Sequence, residues 1–477
     1  MAIIIILILG LFLRLINLNQ SLWLDEAVSV LLARDLSPSA LIGHFRSADF
    51  HPPLHYLWLH FWSKIFGWSE ISARMPSVLF GIGTIWVVYL LGKEAWRDKF
   101  SISRVMAFLL AIAPFHIYYS QEARPYAMAT FLATLSMYFF IKIAKNQEKV
   151  ALDYLVATTA LLYTDYYGFL ILLAQAVALL FLKKYRWLVL CSLPVFLFLP
   201  WLPILIFQLK IGQSAVFLLP QWGNLVSVAF WKALPVTFIK FILGRITIFN
   251  KELYLVVAGA IFILYGRIII RGVLSSRKSI IHNLLFILLL TWLFAPLFSA
   301  WLISAIIPNY QPFRLLLVLP AFYLLLAEGI CRSKSLMNRF IELALVLSIS
   351  LVSLGVYYFN PYFHREDWRG VVKYLEIQTT PSAVVLPSET SAWPWQYYSS
   401  GKISLLTVAS EIRPIDQQDI ENLDQKLLFQ NQIYYIRYLV PLFDPEGKIE
   451  LLLKKREFDK IKEISFNQIS VWEYEKL

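Results

Sequence analysis

Charged residues are scarce in this chain: they make up 16% of its 477 residues, whereas 59% are hydrophobic. Soluble globular domains carry about 25% charged and about 45–50% apolar residues. The mean hydropathy of +0.63 points the same way. The composition therefore excludes a soluble globular protein and predicts a polytopic α-helical membrane protein.

Cysteine is also rare, since the chain has only Cys191 and Cys331, both in or beside apolar runs. A disulfide framework is therefore not expected. The sequence has no glycine-rich phosphate loop, so we expect no bound nucleotide. The net charge of +12 does not indicate nucleic acid, because the positive-inside rule accounts for an excess of Lys and Arg in a membrane protein.

Apolar runs long enough to cross a hydrocarbon core recur through the first three quarters of the sequence. They predict about eleven transmembrane helices, the first of which lacks a basic n-region and a cleavage site and is taken as a retained span. The predicted spans lie near 2–17, 75–92, 105–119, 125–142, 151–163, 166–182, 187–206, 253–270, 281–305, 314–331 and 340–358.

Every second connection between these spans is basic. The residues concerned are Lys93, Arg97, Lys99, Arg104, Lys142, Lys145, Lys149, Lys183, Lys184, Arg186, Arg267, Arg271, Arg277, Lys278, Arg332, Lys334 and Arg339. The short connections on the other side carry only Arg124 and Arg314. The positive-inside rule then places the basic connections and the N-terminus in the cytoplasm.

Three longer segments fall on the outer side. Residues 18–74 follow the first span, and residues 207–252 mix Trp, Lys and aliphatic residues as interfacial helices do. The tail 359–477 is far more polar, with strand-like runs such as "SAVVLP" and a helical "DWRGVVKYLEIQ". We therefore predict a membrane domain over 1–358 and a small extracytoplasmic α/β domain over 359–477.

Polar side chains that are unusual near a membrane collect on this outer face. They are Asp25, Glu26, His51, Arg74, Glu122, Arg124, Asp165 and Arg314. A carboxylate there can accept a proton from an attacking group, and Arg offers phosphate oxygens a fork of donors. Their confinement to one face indicates a reaction on an anionic, membrane-anchored substrate.

Each residue also has a plainer interpretation. Asp25 and Glu26 can be solvated surface acids, and adjacent helical residues point about 100° apart, so at most one faces a given site. Glu122 and Arg124 can form a structural ion pair. Arg74 can anchor the chain at the interface, and Arg314 can contact an ordinary lipid headgroup.

Several stretches, taken in order, resemble a known family. They are "RLINLNQSLWLDEAVSV", "HPPLHYLWLHFW", "SEISARMPSVLFGIGTIWVVYLLGKE", "YYSQEARPYAM", "PFRLLLVLPAFYLLLAEGI" and, in the tail, "REDWRGVVKYLEIQTTPSAVVL". They resemble the GT-C superfamily of integral-membrane glycosyltransferases, and within it the bacterial branch related to protein O-mannosyltransferases and aminoarabinose transferases (glycosyltransferase family 39-like).

The resemblance implies catalytic roles for three acids. Asp25 matches the acid of the first outer loop that is essential for transfer in the family, and Glu26 matches the second acid of the Asp-Glu form of that motif. Glu122 belongs to the second polar motif, at the start of the fourth predicted span.

The resemblance also implies ligands for the lipid phosphate. Arg74 matches the arginine of an R-x-P-S motif, and Arg124 belongs to the second polar motif. Arg314 precedes the span with the "LLP" type of ending, and His51 stands where relatives have a basic residue before the prolines. Asp165 stands where many relatives have His.

The resemblance therefore implies transfer of a sugar from a polyprenyl-phosphate carrier to an extracytoplasmic lipid, glycan or protein acceptor. Inversion at the anomeric carbon is expected, at the outer face of a bacterial inner membrane. A divalent cation, Mg²⁺ or Mn²⁺, is a further possibility, with Asp25, Glu122 and His51 as its candidate ligands.

Three other functions remain open from the sequence. A transporter or flippase of lipid-linked saccharides predicts charges at mid-membrane depth and discontinuous spans in matched halves. A polymerase or ligase of surface polysaccharide shares the chemistry but not the order of motifs. A non-catalytic scaffold would tolerate the loss of Asp25.

Overall fold

Helices dominate the fold, which was obtained as a computed structural model. The structure describes residues 1–45, 50–95, 100–219, 222–275, 280–378 and 382–476. Four of the basic residues predicted to face the cytoplasm, Arg97, Lys99, Arg277 and Lys278, lie outside these ranges.

The first 359 residues form helices joined by short turns. The helices are α1 Ala2–Leu15, α2 Leu24–Asp35, α3 Pro38–His44, α4 Leu54–Phe66, α5 Glu70–Ala95, α6 Phe100–Ala111, α7 Pro114–Ser120, α8 Tyr126–Ala144, α9 Ala151–Leu162, α10 Gly168–Phe181, α11 Arg186–Phe198, α12 Leu202–Leu218, α13 Trp222–Val226, α14 Phe230–Leu243, α15 Lys251–Ser275, α16 Ile280–Ile303, α17 Leu319–Cys331 and α18 Leu336–Phe359. Within the described ranges, three 3₁₀ turns, Glu148–Val150, Leu199–Trp201 and Pro312–Val318, lie between them.

Each predicted span coincides with at least one of these helices. Within the described ranges, seven helices are long and apolar enough to cross a membrane. A further pair, Ile102–Ala111 and Pro114–Ser120, would form one span bent by 58°, while α1 and α10 are shorter apolar helices. The polytopic helical fold is thus confirmed, and the count of eleven spans stays a prediction.

The outer segment 207–252 differs in part from its prediction. The apolar helix that begins at Arg186 continues to Gln213, and α12 ends only at Leu218. Exposed apolar side chains such as Phe207 and Leu209 extend its hydrophobic surface past residue 206. Only α13 and α14, which follow, fit the expectation of short helices between two spans.

The basic connections meet at one end of the helix bundle. Lys145 at the end of α8 bonds the Glu94 carboxylate at 2.8 Å, and Lys184 donates to the carbonyl of Ala144 at 2.5 Å. The other end of α8 adjoins the loop that carries Glu122 and Arg124. Nineteen helical residues separate the two ends by about 28 Å at 1.5 Å per residue, close to the thickness of a hydrocarbon core.

A five-stranded mixed sheet follows α18, as the sequence predicts for the tail. Its elements are α19 Trp368–Glu376, β1 Ala383–Ser388, α20 Trp393–Tyr398, β2 Ser404–Ala409, α21 Gln417–Lys426, β3 Gln432–Arg437, α22 Val440–Phe443, α23 Lys448–Lys455, β4 Phe458–Phe466 and β5 Ile469–Lys476. The strand order is β2-β1-β3-β5-β4. β1 is parallel to β2 and β3, and β5 is antiparallel to β3 and β4.

Helices cover both faces of this sheet. Val384 and Tyr434 pack on α19, whereas Val385 and Tyr435 pack on α21 and α23. β1 is buried along its whole length, as a strand covered on both faces should be. We refer to the residues after α18 as the C-terminal domain.

The two ends of the bundle should lie on opposite sides of the membrane. We expect a membrane-impermeant maleimide to label a cysteine at the exposed Glu411 of the C-terminal domain in intact cells. A cysteine at the exposed Lys149, in the basic connection after α8, should react only after permeabilisation. The parent with buried Cys191 and partly buried Cys331 is the control; labelling of both positions from one side would contradict the topology.

Candidate functional site

The predicted polar residues meet where several helices begin or end. α2 begins at Leu24, α4 begins at Leu54 directly after two prolines, and α8 follows the loop 121–125. A Cβ at Gly81 of α5 would collide with Ser120 at the end of α7. This glycine therefore lets α5 and α7 approach closely, directly before the loop 121–125.

Arg74 lies at the centre of this region and is only 1% exposed. Its Nε and Nη2 donate to the two carboxylate oxygens of Glu26 at 2.8 and 2.5 Å. The remaining N–H groups donate to the carbonyls of Leu18, Gln20 and Ser21 at 2.9, 2.6 and 2.9 Å. A guanidinium has five N–H donors, and these five bonds use all of them.

Glu26 is equally enclosed, at 0% exposure. Burial acts to raise the pKa of its carboxyl, but the Arg74 guanidinium more than offsets this and holds the pKa below its usual range. One oxygen also accepts the N–H of Ala123 at 2.8 Å. The carboxylate therefore ties the first turn of α2 to the loop between α7 and α8.

Two predicted roles are corrected by this geometry. Glu26 has no exposed surface through which it could meet an acceptor, so a direct catalytic role does not fit. All five N–H donors of Arg74 bond to acceptors within the protein, so none is left for a lipid phosphate in this arrangement. The pair instead shapes the chain between α1 and α2.

Glu122 is also held by an arginine, although not by the one expected. Its Oε1 accepts a hydrogen bond from Arg365 of the C-terminal domain, so the structural pair Glu122–Arg124 does not form. Arg365 also donates to the hydroxyl of Tyr118 at 2.5 Å and lies 3.9 Å from the centre of its ring. Burial raises the pKa of the Glu122 carboxyl despite Arg365. Glu122 thus lies in a buried ion pair, and its catalytic role stays a prediction.

Asp25, the neighbour of Glu26, is accessible to solvent. Its side chain is 40% exposed, and its Oδ2 lies 3.8 Å from Nη2 of Arg124. Arg124 also donates to Ser29 Oγ at 3.0 Å and to the Asp25 carbonyl at 3.3 Å. Of the three predicted catalytic acids, Asp25 is the one whose carboxylate a substrate can reach.

His51 joins the same group through Arg124. Its Nδ1 lies 3.3 Å from Nη2 of Arg124. Because an arginine only donates, Nδ1 is the acceptor in this contact, which leaves the Nε2–H as the donor that His51 can offer. Its role toward the lipid phosphate stays a prediction.

Arg314 and Asp165 lie on the far side of this group. Tyr167 lies between them: Asp165 accepts its backbone N–H at 2.8 Å, and Arg314 is close enough to its phenol to act to lower the pKa of Tyr167. Burial raises the pKa of Asp165. Asp165 thus holds the turn before α10, whose N-cap residue is Tyr167, while the half-buried Arg314 borders the group of Asp25, His51 and Arg124.

The residues expected to hold a divalent cation do not assemble as ligands. Among the side chains that the structure describes, no three His, Cys, Asp or Glu residues are grouped suitably for a metal ion. The Arg124 guanidinium lies between Asp25 and His51, and Glu122 is occupied by Arg365. A cation placed there would meet a fixed positive charge, so this donor set does not fit one.

Three residues of the site were missed by the sequence reasoning. Arg365 and Glu366 lie in the tail motif "REDW", whose charges beside a tryptophan repeat the pattern of "WLDE". Arg245 follows α14 in the segment 207–252; it is exposed, and its guanidinium lies 5.5 Å from the ring centre of Tyr118. A lone arginine between two apolar helices was the signal that could have found it.

Known proteins share this architecture. A family profile described as dolichyl-phosphate-mannose-protein mannosyltransferase matches residues 50–209, about a third of the chain. Crystal structures of ArnT from Cupriavidus metallidurans, one bound to undecaprenyl phosphate and one in the apo state, align with a TM-score of 0.59 at 11% sequence identity, over 99% of this chain and 97% of theirs. A comparison with curated protein sequences gives no match.

An archaeal enzyme is similar as well. The apo oligosaccharyltransferase of Archaeoglobus fulgidus aligns with a TM-score of 0.55 at 11% identity, over 92% of this chain and 69% of that one. These likenesses establish the fold. The chain has the GT-C fold with a small C-terminal sheet domain, and the resemblance seen in the sequence is confirmed at that level.

The ion pair between Glu26 and Arg74 should stabilise the folded protein. Removing one partner of a buried ion pair costs about 3–5 kcal/mol, so Glu26→Gln should markedly lower the midpoint of thermal unfolding in detergent. Asp25→Asn, its neighbour on the same helix turn, is the matched control and should melt near wild type.

A double-variant cycle isolates the pair. Because Glu26 and Arg74 contact each other, Glu26→Gln combined with Arg74→Gln should cost less than the sum of the single changes. Additive losses, or a Glu26→Gln variant as stable as wild type, would contradict the structural role.

Proposed function

We propose that this protein transfers a sugar from a polyprenyl-phosphate carrier to an acceptor on the extracytoplasmic side of the membrane. The observation that carries the proposal is the open Asp25 carboxylate, which lies beside Arg124 and His51 while both other candidate acids are buried. A base next to several phosphate-binding groups suits an acceptor attacking a phosphate-linked sugar.

Asp25 is the general base in this scheme. The acceptor hydroxyl or amine attacks the anomeric carbon, and its proton passes to the Asp25 carboxylate. The new bond to the anomeric carbon forms as the bond from that carbon to the phosphate oxygen breaks. The electron pair leaves with the polyprenyl phosphate, and attack opposite the leaving group inverts the anomeric configuration.

The departing phosphate gains negative charge, which the basic residues around Asp25 can stabilise. Arg124 borders Asp25, and Arg314 lies beyond it near Tyr167. Arg245 adds an exposed guanidinium beside Tyr118, and His51 contributes its Nε2–H. We replace the predicted phosphate ligand Arg74 with Arg245 in this set.

The similarity to known structures supports the choice of donor. One of the ArnT structures that share this fold contains undecaprenyl phosphate, a polyprenyl phosphate. The site lies at the end of the bundle opposite the basic connections, which supports an extracytoplasmic position by the positive-inside rule. The apolar α12 and the short α14 border this end and are suited to contact the lipid.

Loss of the base should abolish transfer. We expect Asp25→Asn to lower kcat by about 10²- to 10⁴-fold, the range that a general base contributes, without a large change in stability. Release of free polyprenyl phosphate from a panel of polyprenyl-phosphate sugars is the measurement. Asp35→Asn, an exposed aspartate at the other end of the same helix, is the control and should retain activity.

Two outcomes would contradict the scheme. Near-normal product formation by folded Asp25→Asn in reconstituted membranes would refute the base assignment. Movement of the lipid-linked sugar across vesicles without release of polyprenyl phosphate would favour a flippase. Because Arg124 lies between the candidate metal ligands, we expect EDTA to leave turnover unchanged.

Arg245 and Arg314 should contribute to the use of the polyprenyl-phosphate donor. A hydrogen bond to a charged group contributes about 1.5–3 kcal/mol, so Arg245→Gln and Arg314→Gln should each lower kcat/KM for the lipid donor by about tenfold to a hundredfold. Arg186→Gln, an exposed arginine at the opposite end of the bundle, is the control. Unchanged donor dependence in either site variant would remove that residue from the phosphate site.

A further inference from the structure

The C-terminal domain holds the short segment that leads into α2. The backbone N–H groups of Arg365 and Arg369 donate to the side chains of Gln20 and Ser21 at 2.9 and 3.1 Å. The N–H of Leu22 donates to the hydroxyl of Tyr398 at 2.8 Å. These bonds attach the segment directly before Asp25 to the C-terminal domain.

Apolar packing strengthens this attachment. Leu24 packs against the core cluster of the C-terminal domain that contains Trp368 and Tyr438. Leu22 and Ala27, on either side, belong to a cluster that contacts Tyr398. The first turn of α2 is therefore packed against the C-terminal domain.

Glu366 lies at the point where the two parts meet. Its carboxylate accepts the indole N–H of Trp368 at 2.9 Å and the hydroxyl of Tyr438 at 2.9 and 3.0 Å. Trp368 and Tyr438, the two side chains that it holds, belong to the cluster against which Leu24 packs. A carboxylate with several donors is held in one orientation.

The first turn of α2 receives little capping from its own chain. Its N-cap residue, Trp23, makes no side-chain capping bond. The first N–H groups of a helix need acceptors, and negative charge near them is favourable. The Glu366 carboxylate, from a segment more than 340 residues away in the sequence, lies near this turn, close enough for its charge to interact with that of Asp25.

We propose that Glu366 is a positioning residue: it holds the first turn of α2 and thereby sets the position of Asp25 from the C-terminal domain. The inference rests on the proposed function only for the role of Asp25 as the base. Glu366 does not touch the reacting groups in this scheme; it acts through the helix that carries Asp25.

The surroundings of Glu366 make its charge sensitive to pH. Burial raises the pKa of its carboxyl from 4.5 to about 7, although Trp368 and Tyr438 act to lower it. Asp25 on α2 raises it further, and the adjacent Arg365 is turned toward Glu122. The negative charge near the start of α2 is therefore complete only above neutral pH.

The sign of the effect on stability follows from linkage. A carboxyl whose folded-state pKa is raised contributes stability below its unfolded pKa, and this contribution is lost as the pH rises through the folded-state pKa. For Glu366 that window runs from about pH 4.5 to about pH 7. Glutamine at this position does not titrate, so the Glu366→Gln variant should lose no stability from this site across that pH window.

The first test compares Glu366→Gln with wild type in the full-length protein. We expect the melting temperature of the variant, relative to wild type, to rise between pH 5 and pH 8. Glu473→Gln is the matched control, because Glu473 is also buried and accepts a tyrosine hydroxyl, that of Tyr434, but in β5. This measurement needs no substrate, so it is independent of the proposed function.

The second test measures transfer in the same variants. We expect wild-type kcat to rise with a midpoint near pH 7 and Glu366→Gln to lack that rise. At pH 8 the variant should lose about tenfold to a hundredfold in kcat, the scale expected of a misplaced catalytic group, with little change in KM for the lipid donor. A wild-type kcat and pH profile in Glu366→Gln would overturn the positioning role, whereas an active Asp25→Asn would overturn the proposed function instead.

Tyr438→Phe provides a milder variant if Glu366→Gln folds poorly. It removes a donor that lowers the pKa of Glu366, so the midpoint of the kcat profile should move to higher pH. The same shift is expected in the pH dependence of the melting temperature. A profile identical to that of wild type would count against the proposal.

Discussion

The five hydrogen bonds of Arg74 are the constraint on which the site depends. They fix three carbonyls of the chain between α1 and α2 and both oxygens of Glu26. Glu26 in turn holds the loop between α7 and α8 through Ala123. Neither charge is exposed to solvent, so each is stable only while the other is in place. The path of the outer loop is thus set by one buried ion pair.

This arrangement divides three acids into two kinds. Glu26 and Glu122 each meet an arginine in the protein interior, Arg74 and Arg365, and serve to hold loops together. Asp25 meets Arg124 only at 3.8 Å and keeps much of its surface open. A residue next to Glu26 in sequence is turned by about 100° on the helix. Burying one member of the pair therefore turns the other toward the site.

The hydrophobic pattern of the sequence predicted the helical membrane fold, because long apolar runs have few other solutions. The order of motifs also predicted which residues meet at one end of the bundle.

The role of each residue was less predictable. Nothing in "WLDEA" shows that the Arg74 guanidinium would enclose Glu26 rather than Asp25, because that choice is made by packing across 48 residues of sequence. Likewise, the positions of Arg365 and Glu366 depend on how the C-terminal domain packs against the helix bundle. The spacing of residues along the chain does not predict that packing. The candidate metal ligands are a similar case, since the position of Arg124 between Asp25 and His51 is a property of the folded loop.

The first turn of α2 is held from two directions. From the membrane domain, Arg74 binds the chain that enters the helix and the carboxylate of Glu26. From the C-terminal domain, Tyr398 accepts the N–H of Leu22, and the cluster that contains Trp368 and Tyr438 packs against Leu24. A catalytic group must be kept within a few tenths of an ångström of its working position, and side chains on supported helices achieve this better than those on free loops. In the proposed scheme, support from both domains supplies that rigidity at Asp25, although the N-cap residue of the helix makes no side-chain capping bond. The C-terminal domain is therefore part of the site and more than a cover over it.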